Sequence, residues 1–201
     1  MTTTDTTDTN NKTVIDYLIA HALDDTLKND RFLTQPMGGS NDDCRYWTYA
    51  QVLEESKKMA SYIESLALPP QSQIAIMSKN CAWWILADLA IWMAGHVSVP
   101  VYPTLTKETT TFILEHSDAK LLFVGKLDDG PWAEMKQGIP DTMDTISFPL
   151  TPSNDSGKKT WKEIVDAQEP IVTPVVRTPD EMATIIYTSG STGMPKGVMT
   201  S

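Results

Sequence analysis

The sequence predicts an α/β fold, a largely parallel sheet with helices on both faces. Two observations carry that expectation. From Gln73 onward, short apolar runs rich in β-branched residues alternate with longer amphipathic stretches, the pattern of parallel strands joined by crossover helices. Near the end of the 201 residues, one such run, Ala183-Thr184-Ile185-Ile186-Tyr187, passes directly into a glycine- and hydroxyl-rich turn. A doubly wound sheet places its ligands beyond the carboxyl ends of its strands, where that turn would lie.

Taken in order, residues 1–12 are Thr, Asp and Asn with almost nothing apolar after Met1, the composition of a disordered tail. That start lacks the basic and apolar regions of a secretory signal. Val14, Tyr17, Leu18, Ala22 and Leu23 recur at helical spacing, predicting a short helix over 13–23. Arg31-Phe32-Leu33-Thr34 and Arg45-Tyr46-Trp47 flank a turn-forming segment and predict a hairpin. Thr48 and Gln51 form a capping box opening a helix to about residue 66, which Pro69-Pro70 closes off.

Strands follow at 74–77, 97–102, 120–124 and 145–148, with helices at 81–95, 107–116 and 131–137 between them. Asn80 is positioned to cap the helix at 81–95. That helix is apolar nearly all round, so Trp83, Trp84 and Trp92 read as sandwiched core. Asp88 among them needs a partner. Residues 150–159 have linker composition. Thr160 and Glu163 make a second capping box for a helix to about 168, and 172–178 is extended. One α/β unit is expected over 13–201, without a second domain.

A net charge of −10 argues against a nucleic-acid partner, which would need a basic face. The longest apolar run, 81–95, is interrupted by Asp88 and too short to span a bilayer. Two cysteines, Cys44 and Cys81, lack metal-ligand spacing and read as buried structural thiols in a reducing compartment. His96 and His116 have no second ligand spaced with them, so no metal site is expected in this stretch.

The chemistry concentrates in Thr188-Ser189-Gly190-Ser191-Thr192-Gly193-Met194-Pro195-Lys196-Gly197-Val198. Gly190, Gly193 and Gly197 let backbone N–H groups turn towards one anion. The hydroxyls of Thr188, Ser189, Ser191 and Thr192 and the Lys196 ammonium add donors suited to phosphate oxygens. A Walker A loop is excluded, because Lys196 precedes Gly197 and the next residues read as a strand, not a helix.

This stretch resembles the signature loop of the AMP-forming, acyl-adenylate-making synthetases, unbroken over eleven positions. Gly95-His96-Val97-Ser98-Val99-Pro100-Val101-Tyr102-Pro103-Thr104 resembles a segment of the acyl-CoA synthetases, the long-chain fatty-acid branch in particular. Trp47-Thr48-Tyr49-Ala50 and Phe112-Ile113-Leu114-Glu115-His116 are similar to further passages of that branch. The resemblance implies the N-terminal part of the large domain of an adenylate-forming enzyme, reaching just past the phosphate loop. It implies a long-chain fatty acid–CoA ligase: ATP, Mg2+ and coenzyme A would be used to turn a carboxylic acid into an acyl-adenylate and then a thioester. Lys196 would be catalytic, with Thr188, Ser189, Gly190, Ser191, Thr192, Gly193 and Gly197 holding phosphate beside it. The adenine, metal and hinge residues would lie in a continuation beyond Ser201, and the fragment alone would be inactive. A cytoplasmic enzyme with at most peripheral membrane contact is the corresponding expectation. A peptide-synthetase adenylation domain, a luciferase-like enzyme and a phosphate-binding scaffold are the alternatives.

Overall fold

The computed structural model describes residues 12–39, 42–152, 158–188 and 194–201. Its elements follow chain order as α1 (Val14–Leu23), β1 (Arg31–Pro36), β2 (Cys44–Thr48), α2 (Tyr49–Ser65), β3 (Gln73–Met77), α3 (Ala82–Met93), β4 (Val97–Val101) and α4 (Lys107–His116). There follow β5 (Leu121–Val124), α5 (Asp129–Met135), β6 (Asp144–Ser147), β7 (Lys159–Thr160), α6 (Trp161–Ala167), β8 (Thr184–Thr188) and β9 (Lys196–Thr200). Strands β1 and β2 form the expected antiparallel hairpin. The others make a seven-stranded sheet in the order β7-β6-β5-β3-β4-β8-β9, parallel except for the β8–β9 pair.

The period-2 alternation of strand side chains divides the core in two. Ile74 and Ile76 of β3 and Leu121 and Phe123 of β5 face one side, where they meet Val52, Met59 and Ile63 of α2, Trp83 and Leu86 of α3, and Trp161 of α6. Ala75 and Met77 of β3, Val99 and Val101 of β4, and Leu122 and Val124 of β5 face the other, under Ile113 and Leu114 of α4 and Trp132 and Met135 of α5. Helices therefore cover both faces, as the alternation of elements predicts. Strands buried on both faces read as continuous apolar runs, which is why β3 and β5 are legible without a polar side.

Both predicted capping boxes form. The Gln51 amide N–H donates to Thr48 Oγ1 at 3.3 Å while the Thr48 N–H donates to Gln51 Oε1 at 2.9 Å. Thr160 and Glu163 repeat the arrangement at 3.3 and 2.9 Å. The capping role expected of Asn80 is not found: Cys81 occupies the N-cap of α3 and its side chain makes no cap bond. Instead the buried Gln35, from the distant β1, accepts from the Ala82 N–H at 2.8 Å. A tertiary acceptor has replaced the local one, and it locks the hairpin onto the start of α3. The helix predicted over 131–137 begins two residues earlier and ends in a 3-10 turn, Lys136–Gly138. The two-residue strand β7 joins the last residue of the segment read as linker, Lys159, to the capping residue Thr160; residues 153–157 of that segment lie outside the described set. Cys44 and Cys81 are free and half-buried, not fully enclosed as expected.

Strand β4 carries Pro100 in its interior, opposite Ile76 of β3. The Ser98 N–H donates to Ala183 O at 3.0 Å, on the β8 side. By the same alternation a donor at position 100 would point that way too, and proline has none. The β4–β8 ladder accordingly has one registered pair, Ser98 with Thr184. Strand β8 nevertheless runs alongside β4, and the β8–β9 hairpin forms that end of the sheet.

Candidate phosphate-binding site

Strands β8 and β9 pair from Thr184 with Thr200 to Thr188 with Lys196. The pair Thr188 and Lys196 thus closes the hairpin at its tip, both exposed, at the end from which the parallel strands point outward. Strand, turn, strand is the order expected from the sequence. Of the predicted phosphate-holding residues, Ser189, Gly190, Ser191, Thr192 and Gly193 lie outside the described residues. The structure brings Thr188 and Lys196 side by side, so a hydroxyl and an ammonium flank the entrance and exit of that turn.

Gly197 sits opposite Tyr187 in the ladder. A Cβ there would stand 3.0 Å from Ile185 Cγ2 and 3.4 Å from the Tyr187 ring. The glycine therefore leaves room for two side chains of the facing strand, a packing role that its place in the motif does not reveal.

The hairpin's attachment is asymmetric. Every residue of β9 is exposed, whereas Tyr187 of β8 is only 3% exposed. Tyr187 is packed into the core under α4, its ring edge-on to Phe112 and to His116. Its hydroxyl is hydrogen-bonded to His116 Nδ1 at 2.7 Å. Burial pushes the Tyr187 phenol up from its ordinary pKa, against the pull of the neighbouring Ser117 hydroxyl.

At the other end of β8 the guanidinium of Arg177, 7% exposed, donates to His96 O and Met182 O, each at 2.6 Å, and lies 3.6 Å from Glu181. This ties the segment leading into β8 to the start of β4. Burial, and then the Arg177 charge, hold the His96 imidazole below its usual pKa. Gly95, at φ +77° with Val175 side-chain carbons from 3.2 Å of a virtual Cβ, makes the tight turn before β4. Sequence reasoning did not single out Tyr187, His116 or Arg177 as supports of the hairpin. The inward phase of Tyr187, two residues after Ile185, was the one available signal.

Asp88 meets the requirement that it pair. The Trp84 indole donates to its Oδ2 at 3.0 Å. Its Oδ1 is sealed from solvent near the Ser98 hydroxyl, neither atom having a bond of ordinary geometry. Burial pushes the carboxyl up to about 6, against the weaker pull of the Ser98 and Trp84 dipoles.

A family model for AMP-binding enzymes matches residues 24–201. The chain belongs to the AMP-binding enzyme family. Similar members include nonribosomal peptide synthetase 4 of Gibberella zeae, 29% identical over 164 residues, or 78% of this chain and 2% of that one. Fatty acyl-CoA synthetase B of Dictyostelium discoideum is 28% identical over 165 residues, covering 76% of this chain and 24% of that protein. 4-Coumarate–CoA ligase 1 of Solanum tuberosum is 28% identical over 166 residues, 80% of this chain and 28% of the ligase. The chain thus spans less than a third of the length of each.

Among solved structures, the anthranilate CoA ligase AuaEII in complex with anthranoyl-AMP superposes with a TM-score of 0.75 at 18% identity, covering 94% of this chain and 35% of that one. A benzoate CoA ligase from Burkholderia xenovorans LB400 gives 0.67 at 20%, covering 92% and 33%. These likenesses establish the shared fold of the adenylate-forming enzymes. By their names the relatives include a peptide synthetase, a fatty acyl-CoA synthetase and a coumarate ligase, so membership of this AMP-binding family does not single out one acid. Among the described residues, no helix is long and apolar enough to cross a membrane.

Proposed function

We propose that this chain is the N-terminal portion of an ATP-dependent acid–thiol ligase, a long-chain fatty acid–CoA ligase, carrying its pyrophosphate-side loop. The observation that supports the reading is the β8–β9 hairpin, with Thr188 opposite Lys196 at its tip and a turn of Ser, Thr and Gly between them. Attack of a carboxylate on the α-phosphorus of ATP breaks the bond to pyrophosphate and makes an acyl-adenylate. Negative charge then grows on the leaving pyrophosphate. Lys196 and Thr188, paired across the hairpin, together with the hydroxyls of Ser189, Ser191 and Thr192, would donate to that charge. Gly190 and Gly193 are the residue type that would let backbone N–H groups turn towards the same oxygens. Thioester formation with coenzyme A would follow in the continuation of the chain, together with adenine and ribose binding.

Bound Mg2+ would neutralise phosphate charge in such an enzyme. Among the described residues no three His, Cys, Asp or Glu groups converge to hold an ion, so no step is assigned to metal ligands in this stretch. The fatty-acid assignment rests on the Val99-Pro100-Val101-Tyr102-Pro103-Thr104 resemblance and on the Dictyostelium relative. The peptide-synthetase relative, at 29% identity, favours a second reading, an adenylation domain whose acceptor is a carrier thiol.

Thioester product analysis separates the two. The enzyme expressed from the reading frame extended beyond Ser201, given ATP, coenzyme A and a fatty acid, is expected to yield the acyl-CoA. An acyl-adenylate that coenzyme A does not consume would support the adenylation-domain reading instead.

A further inference from the structure

We propose a second ligand site on this chain, for an amphipathic carboxylate, between β1 and the start of α3, with Lys126 as the partner of the anionic head. The connectivity of the sheet points to the place. After β3 the chain crosses by α3 to β4, on the face that holds Trp83 and Leu86. After β5 it crosses by α5 to β6, on the other face and in the other direction. Strands β3 and β5 are parallel neighbours, so the loops leaving their carboxyl ends diverge and a crevice opens between them. Such a topological switch point is where open α/β sheets take ligands. Strand β4 lies between β3 and β8, so this crevice is separate from the turn that follows β8.

The base of the crevice is rigid. The Lys79 N–H donates to Lys126 O at 2.7 Å, and the Lys126 N–H donates to Ser78 Oγ at 2.9 Å. A Cβ at Gly125 would stand 2.3 Å from that hydroxyl, so the two loops meet at a distance that glycine permits. Beside them is a cavity of about 590 Å³, within the size range of small-molecule sites. Strand β1 contributes Leu33 and Pro36 to its lining, α3 contributes Trp84 and Ile85, and the two loops contribute Asn80 and Lys126. The Trp84 indole is fixed by its bond to Asp88, and Gln35 holds β1 against α3 through the Ala82 N–H. Lys79 is paired with Asp128. Lys126 forms no ion pair among the described residues. An unpaired ammonium beside apolar walls, in a chain of net charge −10, selects an anionic head on an apolar body. A straight-chain carboxylate such as laurate meets both demands.

Cys81 lines the same cavity and reports on its occupancy. The test is the rate of Cys81 alkylation by iodoacetamide, read by peptide mass spectrometry on the protein of the extended reading frame, without ATP. Laurate below its micellar range is expected to slow that rate several-fold, and the concentration giving half the effect measures affinity at this site. Dodecanol, with the same tail and no charge, should need at least ten times the concentration. Lys126→Met, which keeps the apolar stem, should weaken laurate about ten- to a hundredfold, the size of one lost charge-assisted hydrogen bond. Lys126→Glu should reverse the preference, so that dodecylamine protects Cys81 and laurate does not. Cys81 alkylation that laurate leaves unchanged would overturn the proposal, and so would protection that Lys126→Met does not weaken. None of these readouts needs adenylation. A protein that binds laurate at Cys81 but forms no acyl-adenylate would refute the ligase reading and leave this site standing.

Discussion

Trp161 Nε1 donates to Glu55 Oε1 at 2.8 Å, joining residues 106 apart in the chain. The other carboxylate oxygen accepts from Trp47 Nε1 at 2.6 Å and from Arg45 at 3.0 Å. One side chain on α2 thus fastens both the β1–β2 hairpin and α6. The Arg45 guanidinium also lies 4.2 Å from the centre of the Trp47 ring.

Glu55→Ala would strand two indole donors, since Trp47 and Trp161 are 2% and 1% exposed. Each buried unpaired donor costs about 1–3 kcal/mol. A loss of about 3 kcal/mol is expected in urea unfolding, with Glu55→Gln retaining part of it. A shift below about 0.5 kcal/mol for the alanine variant would mean that the node contributes no net stability.

The Gln35 cap on α3 should behave as a distant N-cap. Gln35→Ala removes the acceptor for the Ala82 N–H, and about 1–2 kcal/mol of stability should go with it. Asn80→Ala, by contrast, should be near neutral in the same unfolding experiment, because Asn80 is not the cap of α3. A larger effect at Asn80 than at Gln35 would reverse that assignment.

Asp88 gives a pH dependence of defined sign. Its folded pKa, about 6, stands above the ordinary carboxylate value. Between roughly pH 4 and 6 the folded state binds more protons than the unfolded one, so this group favours folding at low pH. The contribution fades as pH rises through about 6, amounting to at most about 3 kcal/mol. Asp88→Asn should remove that slope and gain stability relative to wild type at pH 7. Parallel stability–pH curves for the two proteins would show that Asp88 is not the group responsible.

Much of this architecture was legible because local signals and tertiary demands agree. Strands β3 and β5 are apolar on both faces, and Thr48–Gln51 and Thr160–Glu163 state their helix starts in the sequence. The α3 cap was not legible, because its acceptor, Gln35, comes from 47 residues away. Nor was β7, two residues long and stabilised by β6 alone. At the candidate site the two strands β8 and β9 that flank the glycine-rich stretch could be read directly. The contact of His116 with Tyr187 could not, since 71 residues separate them and an exposed histidine at a helix end carries no pattern. Gly197 illustrates a subtler gap: its place in a glycine-rich motif suggests contact with a ligand, while its nearest neighbours are Ile185 and Tyr187.

The most direct measurement is acid-dependent exchange of labelled pyrophosphate into ATP, run on this chain and on its extended reading frame, with and without Lys196→Ala. The account predicts exchange in the extended enzyme with fatty acids, none in the 201-residue chain, and a fall of about a hundredfold or more when the lysine is removed from the leaving group. Absence of exchange across a broad panel of carboxylic acids, or full exchange in the Lys196→Ala enzyme, would contradict it.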